Sequence, residues 1–165
     1  MDKLYGPNLL VVGIDQIDRV DYSGRLWNGY QKEPVAFQNS MELMREMEAF
    51  FDEINFPQSA MRIRSFQKEQ RSARWAGKAE DRKPDMSELE KNKGEKGTFI
   101  VQVMYRQNAT WQGQVIWAEQ NKKVYFRSAM ELLKLMDSAL ERGTIEQGEN
   151  IPAPTPVEGA KGHEA

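Results

Sequence analysis

The sequence predicts an α+β fold of two tandem β-β-β-α repeats, related by a pseudo-two-fold, with antiparallel strands and helices on one face. Three observations predict it. Phe37–Phe51 (FQNSMELMREMEAFF) returns as Phe126–Leu140 (FRSAMELLKLMDSAL), 89 positions later and without a gap. The same shift lays Leu10-Val11-Val12 on Phe99-Ile100-Val101, Gly24 on Gly113, Leu26 on Val115 and Val35 on Val124. In each stretch a capping residue, with an acid three positions on, precedes apolar residues at helical spacing. Shared periodicity alone would not also match a glycine, a cap and an acid in register.

The elements follow in order. Residues 1–8, with Gly6-Pro7, read as a lead-in. Leu9 to Val20 is β-branched and partly alternating, a strand pattern. Asp21-Tyr22-Ser23-Gly24 reads as a turn, Arg25 to Tyr30 as a second strand, Gln31 to Pro34 as a second turn and Val35 to Phe37 as a short third strand. Asn39 caps the first helix with Glu42 at N3. Met41, Leu43, Met44, Met47, Phe50, Phe51 and Ile54 make its apolar stripe, and Asn55-Phe56-Pro57 stops it. In the second repeat Ser128 and Glu131 take the cap and acid positions, and Met130, Leu132 and Met136 continue the stripe.

The organisation predicted is a first repeat over 1–56, a basic connecting segment and flexible linker over 57–97, a second repeat over 98–143 and a disordered tail over 144–165. Each repeat is too small to bury much surface alone, which favours a shared core. Within the connection, Ala60 to Phe66 suits a short strand and Gln67 to Lys83 a helix with a thin apolar face. Asp85 to Gly97 is charged and glycine-containing, the composition of a flexible linker. The Pro- and Gly-rich end has almost nothing to bury.

Charge is uneven along the 165 residues. Residues 1–60 carry 5 basic and 10 acidic side chains, residues 61–98 carry 11 and 7, and the whole is net −2. There is no cysteine, which excludes disulfides, thiolate metal sites and a cysteine nucleophile. The longest apolar run, Leu9 to Ile14, is too short for a signal-peptide core or membrane span, so the location expected is cytoplasmic.

Catalytic equipment is sparse. The sole histidine, His163, is the third residue from the end, within the stretch read as a disordered tail, so no histidine is expected in a folded site. No Gly-rich phosphate loop is present; Gly24 and Gly113 read as single turn glycines. Asp15 with Asp18 and Asp52 with Glu53 read as exposed acidic pairs. Glu42 and Glu131 are explained by capping, and Met41, Met44, Met47, Met130 and Met136 by core filling. No cofactor and no metal is expected.

Two features point to binding. Arg62, Arg64, Arg71, Arg74, Trp75 and Lys78 lie in the basic segment 62–83, where Arg71, Arg74 and Lys78 share one helical face beside Trp75. That pattern can meet phosphates and stack a base. The predicted strands carry the aromatics Trp27, Tyr30, Tyr105, Trp111, Trp117 and Tyr125, and those left uncovered by the helices would mark a binding face.

Tyr105–Gly113, Trp117, Phe126-Arg127-Ser128 and Leu132-Leu133 resemble a family of small uncharacterised bacterial proteins with a W-x-G-x-x-x-W … F-R-S-x-x-E-L unit. The resemblance covers the second repeat and implies the unit, not an activity. The first repeat departs from it, with Tyr22 in place of Trp111 and Asn28 in place of Trp117.

The expectation is a non-enzymatic cytoplasmic adaptor that binds a protein partner through Trp27, Tyr105, Trp111 and Trp117. The alternatives are nucleic-acid binding through 62–83 and small-ligand binding at the repeat junction. The assembly expected is a monomer with an internal pseudo-dimer, or a weak homodimer, with no membrane partner.

Overall fold

Six stretches rich in β-branched and aromatic residues form a single antiparallel sheet: β1 (Leu9–Ile17), β2 (Tyr22–Asn28), β3 (Gln31–Phe37), β4 (Gly97–Tyr105), β5 (Gln112–Trp117) and β6 (Lys122–Phe126). Helix α1 (Ser40–Ile54) follows β3 and helix α2 (Ala129–Gln147) follows β6. The strand order is β3-β2-β1-β4-β5-β6. This computed structural model describes residues 4–19, 21–59, 66, 84–108 and 110–147, with side chains through Glu141. The α+β class expected from the sequence is observed.

β1 and β4 lie at the centre, and they read as near-continuous apolar runs because both of their faces are covered. Val11 pairs with Ile100, flanked by Leu10 with Val101 and Val12 with Phe99. The outer ladders keep matching offsets. Gly24 pairs with Phe37 and Leu26 with Val35; Gly113 pairs with Phe126 and Val115 with Val124. Register irregularities fall between Ile14 and Gln16 in β1, between Leu26 and Asn28 in β2 and between Val103 and Tyr105 in β4.

The turns are not where the sequence placed them. β2 ends at Asn28 and the chain reverses at Gly29-Tyr30, with the Asn28 side-chain oxygen accepting from the Tyr30 and Gln31 N–H groups at 2.8 and 3.1 Å. Asn is favoured at the first position of a turn, where its side chain takes up the turn's N–H groups, and this local bonding outweighs the downstream Pro34. Pro34 therefore sits inside β3, at the sheet edge, where a missing donor is tolerated. Gly24 and Gly113 are strand residues, not turn residues. A Cβ on Gly24 would come 1.9 Å from the Gly13 carbonyl oxygen, and one on Gly113 would come 2.0 Å from that of Gln102.

The helix starts follow the sequence. Asn39 accepts from the Glu42 N–H at 2.8 Å, and Ser128 from the Glu131 N–H at 3.1 Å. Each acid reaches back: Glu42 accepts from the Gln38 N–H and Glu131 from the Arg127 N–H. α1 ends at Asn55 in the left-handed region, its N–H turned onto the Asp52 and Phe51 carbonyls. Both apolar stripes meet the same sheet face in one core holding Leu43, Met47 and Phe51 with Leu132, Met136 and Leu140. Met41 and Met130 are exceptions, exposed on the first turns.

A second, smaller core covers the opposite face. Leu4 and Leu89 close over Leu9, Val11, Trp27 and Ile116. Leu89 begins a single 3-10 turn, Leu89–Lys91. Residues 85–97, expected as a flexible linker, are thus pinned to the sheet: Asp85 N–H donates to Gly29 O at 2.7 Å and Lys96 N–H to Ile14 O at 2.7 Å. The sequence hid this role because Met86 and Leu89 are the sole large apolar residues in a charged run.

Candidate functional site

The two halves of the far face differ. Over β1 and β2 it is sealed by residues 84–96, and Arg25 lies 4.7 Å from the Trp27 ring while its guanidinium grips Asp15 at 2.7 and 3.0 Å. Arg25 hydrogen-bonded to Asp15, aided by the Glu95 N–H, holds that carboxyl below its ordinary range against the opposing effect of burial. Over β5 and β6 the face is more open, with Gln114 donating to Gln102 at 3.2 Å and Tyr125 beside them at the edge.

The four aromatics expected to bind a partner are dispersed. Trp27 is 6% exposed within the small core. Trp111 is 8% exposed within the large one, its ring edge-on to Phe51 at 5.5 Å. Their apolar area is satisfied by the fold, so neither ring is available as a surface. Trp117 is half-buried against the large core, and Tyr105, 54% exposed, stands past the β4 bulge. The sheet does not bring these four together. Arg62, Arg64, Arg71, Arg74, Trp75 and Lys78 lie outside the described residues, as does the tail from residue 148.

The edge strands are the clearest asymmetry. β3 is bounded by Pro34 in mid-strand. β6 reads Lys-Lys-Val-Tyr-Phe, with Val124 43% and Tyr125 63% exposed on its two faces. Lys122 and Lys123 add positive charge, and Lys123 lies 6.0 Å from the Tyr125 ring.

Beside β6 lies a cavity of about 230 Å³. Phe99, Val115 and Trp117 of the sheet form its floor, and α2 contributes Leu135, Met136 and Ala139 with Ser138. Lys122 and Val124 line it from β6. The Ser138 hydroxyl donates to the Leu135 carbonyl at 2.8 Å, so the lining is mainly apolar. This cavity runs from Phe99 of β4 to the β6 edge and is lined by the second half alone, not by both halves as expected of a junction ligand site.

Elsewhere the polar groups read as structural. Buried Arg106 donates to Pro57 O at 2.7 Å and to Asp52 at 2.6 Å, fixing the end of α1 to β4. Burial, with the Asp137 and Asp21 charges, pushes the Tyr22 hydroxyl well above the ordinary phenol value. Loss of solvent, with Glu141 and Asp21, raises Asp137. Among the described residues no group of three or more His, Cys, Asp or Glu could hold a metal ion, and no helix is long and apolar enough to cross a membrane.

Comparison with protein-family models, with curated proteins and with solved structures gave no match. The site is therefore argued from its own residues. Lys122, Val124 and Ala139 were not singled out by sequence reasoning. A usable signal existed: under the 89-residue shift Pro34 falls on Lys123 and Phe50 on Ala139.

Proposed function

We propose that this chain is an interaction module rather than an enzyme, built of two tandem β-β-β-α repeats about a pseudo-two-fold, and that its protein partner adds an extended strand to β6. The carrying observation is the difference between the two sheet edges. A proline in mid-strand leaves β3 without one donor, whereas β6 has no proline and exposes Val124 and Tyr125. An edge strand with unpaired backbone groups is a template for strand addition. Lys122 and Lys123 favour an acidic strand, and Tyr105 and Tyr125 are what remains of the expected aromatic surface.

The ladder registers support the duplication. Val11 pairs with Ile100, its own counterpart 89 positions on, and the flanking pairs are disposed evenly about it. An antiparallel pair of equivalent strands has a two-fold at its centre. The bulges of β1 and β4 obey the same shift, as do the outer registers over three pairs, Gly24 to Leu26 and Gly113 to Val115, before the ladders part at Asn28 with Gln31 and Trp117 with Lys122. On this reading β3 and β6 occupy equivalent edges, and one of the two has been kept open.

The test is amide hydrogen exchange on the chain, alone and with a partner captured on it. Protection should appear at residues 122–126, and a Lys122→Glu, Lys123→Glu double variant should lose the partner while keeping its Tm. Protection confined to other segments, with β6 amides exchanging as in the free chain, would remove the reading.

A further inference from the structure

The cavity between α2 and β6 is where the two halves of the molecule diverge in shape. In the first half Tyr30 and Phe50 pack ring against ring, with centroids 6.0 Å apart, and both join the large core. Eighty-nine positions after Phe50 stands Ala139, and the β5–β6 hairpin, with Trp117 paired to Lys122, places no ring where Tyr30 sits beside Phe50. A methyl group does not fill what the Phe50 ring fills, and a cavity of about 230 Å³, walled by Trp117, lies against Ala139. The cavity opens to solvent along the exposed side chains of Lys122 and Val124. A cavity beside an open edge strand is placed to receive something.

We infer that this cavity is the anchor pocket of the added strand, holding one bulky apolar side chain of the partner, with an acidic residue two positions away set against Lys122. The inference rests on the strand-addition reading and names the partner's chemistry. Alternate residues of β6, Lys122 and Val124, line the cavity, so they share the helix-side face of the strand. A strand paired to β6 presents every second side chain on that same face, about 5 Å from its cross-strand neighbour. One such side chain would lie beside Val124 at the cavity.

The size suits this occupant. Dry apolar cavities of roughly 150 Å³ take a benzene ring, and drug-sized ligands need about 300 Å³ or more. A phenylalanine or leucine side chain falls between. The lining suits it as well, since Phe99, Val115 and Leu135 offer no hydrogen bond to a polar group. Lys122 is exposed and makes no ion pair among the described residues, leaving its charge for a partner carboxylate. A residue two positions from the anchor lies on the same face and can reach it.

The experiment titrates the full ¹⁵N-labelled chain with the peptide Ac-Thr-Glu-Thr-Phe-Thr-Glu-Thr-NH2, with its Phe→Ala and Glu→Lys versions, and with 3-phenylpropionate. The Phe peptide should shift the amides of 122–126 and of Ala139, and bind at least tenfold more tightly than the Ala and Lys versions. Ala139→Phe, which restores the residue of the first half, should erase the preference for Phe over Ala without lowering Tm. Lys122→Glu, at an exposed position, should reverse the preference between Glu and Lys peptides, and it keeps the test intact if Ala139→Phe folds poorly. Equal binding of Phe and Ala peptides, with β6 still shifted, overturns the anchor pocket while strand addition stands. No shift of β6 with any peptide overturns both. If 3-phenylpropionate shifts Ala139 and the peptides do not, the cavity serves a free small acid and the peptide anchor is overturned.

Discussion

Gly113 and Gly24 show how a single missing atom sets the outer ladders. Each lies in a strand, opposite Phe126 or Phe37, where a Cβ would meet a backbone oxygen of the neighbouring strand. Backbone cannot swing aside as a side-chain tip can. Gly113→Ala and Gly24→Ala should therefore each lower stability by about 2 kcal/mol or more, as overpacking does, seen as a lower urea midpoint with unchanged slope. Asp137 is a second residue whose effect has a definite sign. Loss of solvent and the Glu141 and Asp21 charges raise its pKa, so the folded chain holds a proton that the unfolded chain has already released. Stability from this site is fully present below the ordinary carboxylate range and is lost as pH rises through the raised value. Asp137→Asn should raise Tm at neutral pH, and its advantage should close by about pH 3, below both values. Neither effect was legible in the sequence. A strand glycine and a turn glycine are the same letter, and although Glu141 lies one turn along the same helix as Asp137, its other neighbour, Asp21, comes from the distant β1–β2 connection.

Elements were legible to the degree that their causes are local. The helix starts are local: Asn39 and Ser128 each accept the N–H three residues on, and the sequence spacing alone predicts it. Asn39→Ala and Ser128→Ala should each cost about 1 kcal/mol, measured by chemical denaturation. The apolar stripes are local too, and Leu43, Met47, Leu132 and Met136 are all buried as their periodicity predicts. Strand ends were less legible, because Asn28-Gly29 and Pro34 are competing turn signals only six residues apart. The candidate site was the least legible part. Whether a strand is an edge depends on the order of the whole sheet, so nothing within Lys122–Phe126 marks it as one. Trp27 looked available for the same reason. Its cover is Leu89, sixty-two positions away in a charged segment.

At the scale of the molecule, neither half is complete without the other. β1 of the first half finds its second neighbour only in β4 of the second, and each half also completes the other above the sheet. Trp111 packs its ring against Phe51 of α1, and Arg106 ties β4 to Pro57 and Asp52. Splitting the chain would turn β1 and β4 from central strands into edges with both faces apolar, a surface that aggregates or stays unfolded. It would also leave each piece with too little core, since units of this size bury a small fraction of their surface. Residues 1–66 and 67–165, expressed apart, should each lack cooperative unfolding. Mixed at equal concentration they should recover the circular dichroism of the whole chain, with a Tm that rises with concentration as linkage requires. In pieces whose other tryptophans are replaced by phenylalanine, Trp111 gives the residue-level readout, because its emission should move to shorter wavelength when Phe51 closes over it. A cooperative melt from residues 1–66 alone would show that the β1–β4 seam is not the interaction that holds the fold.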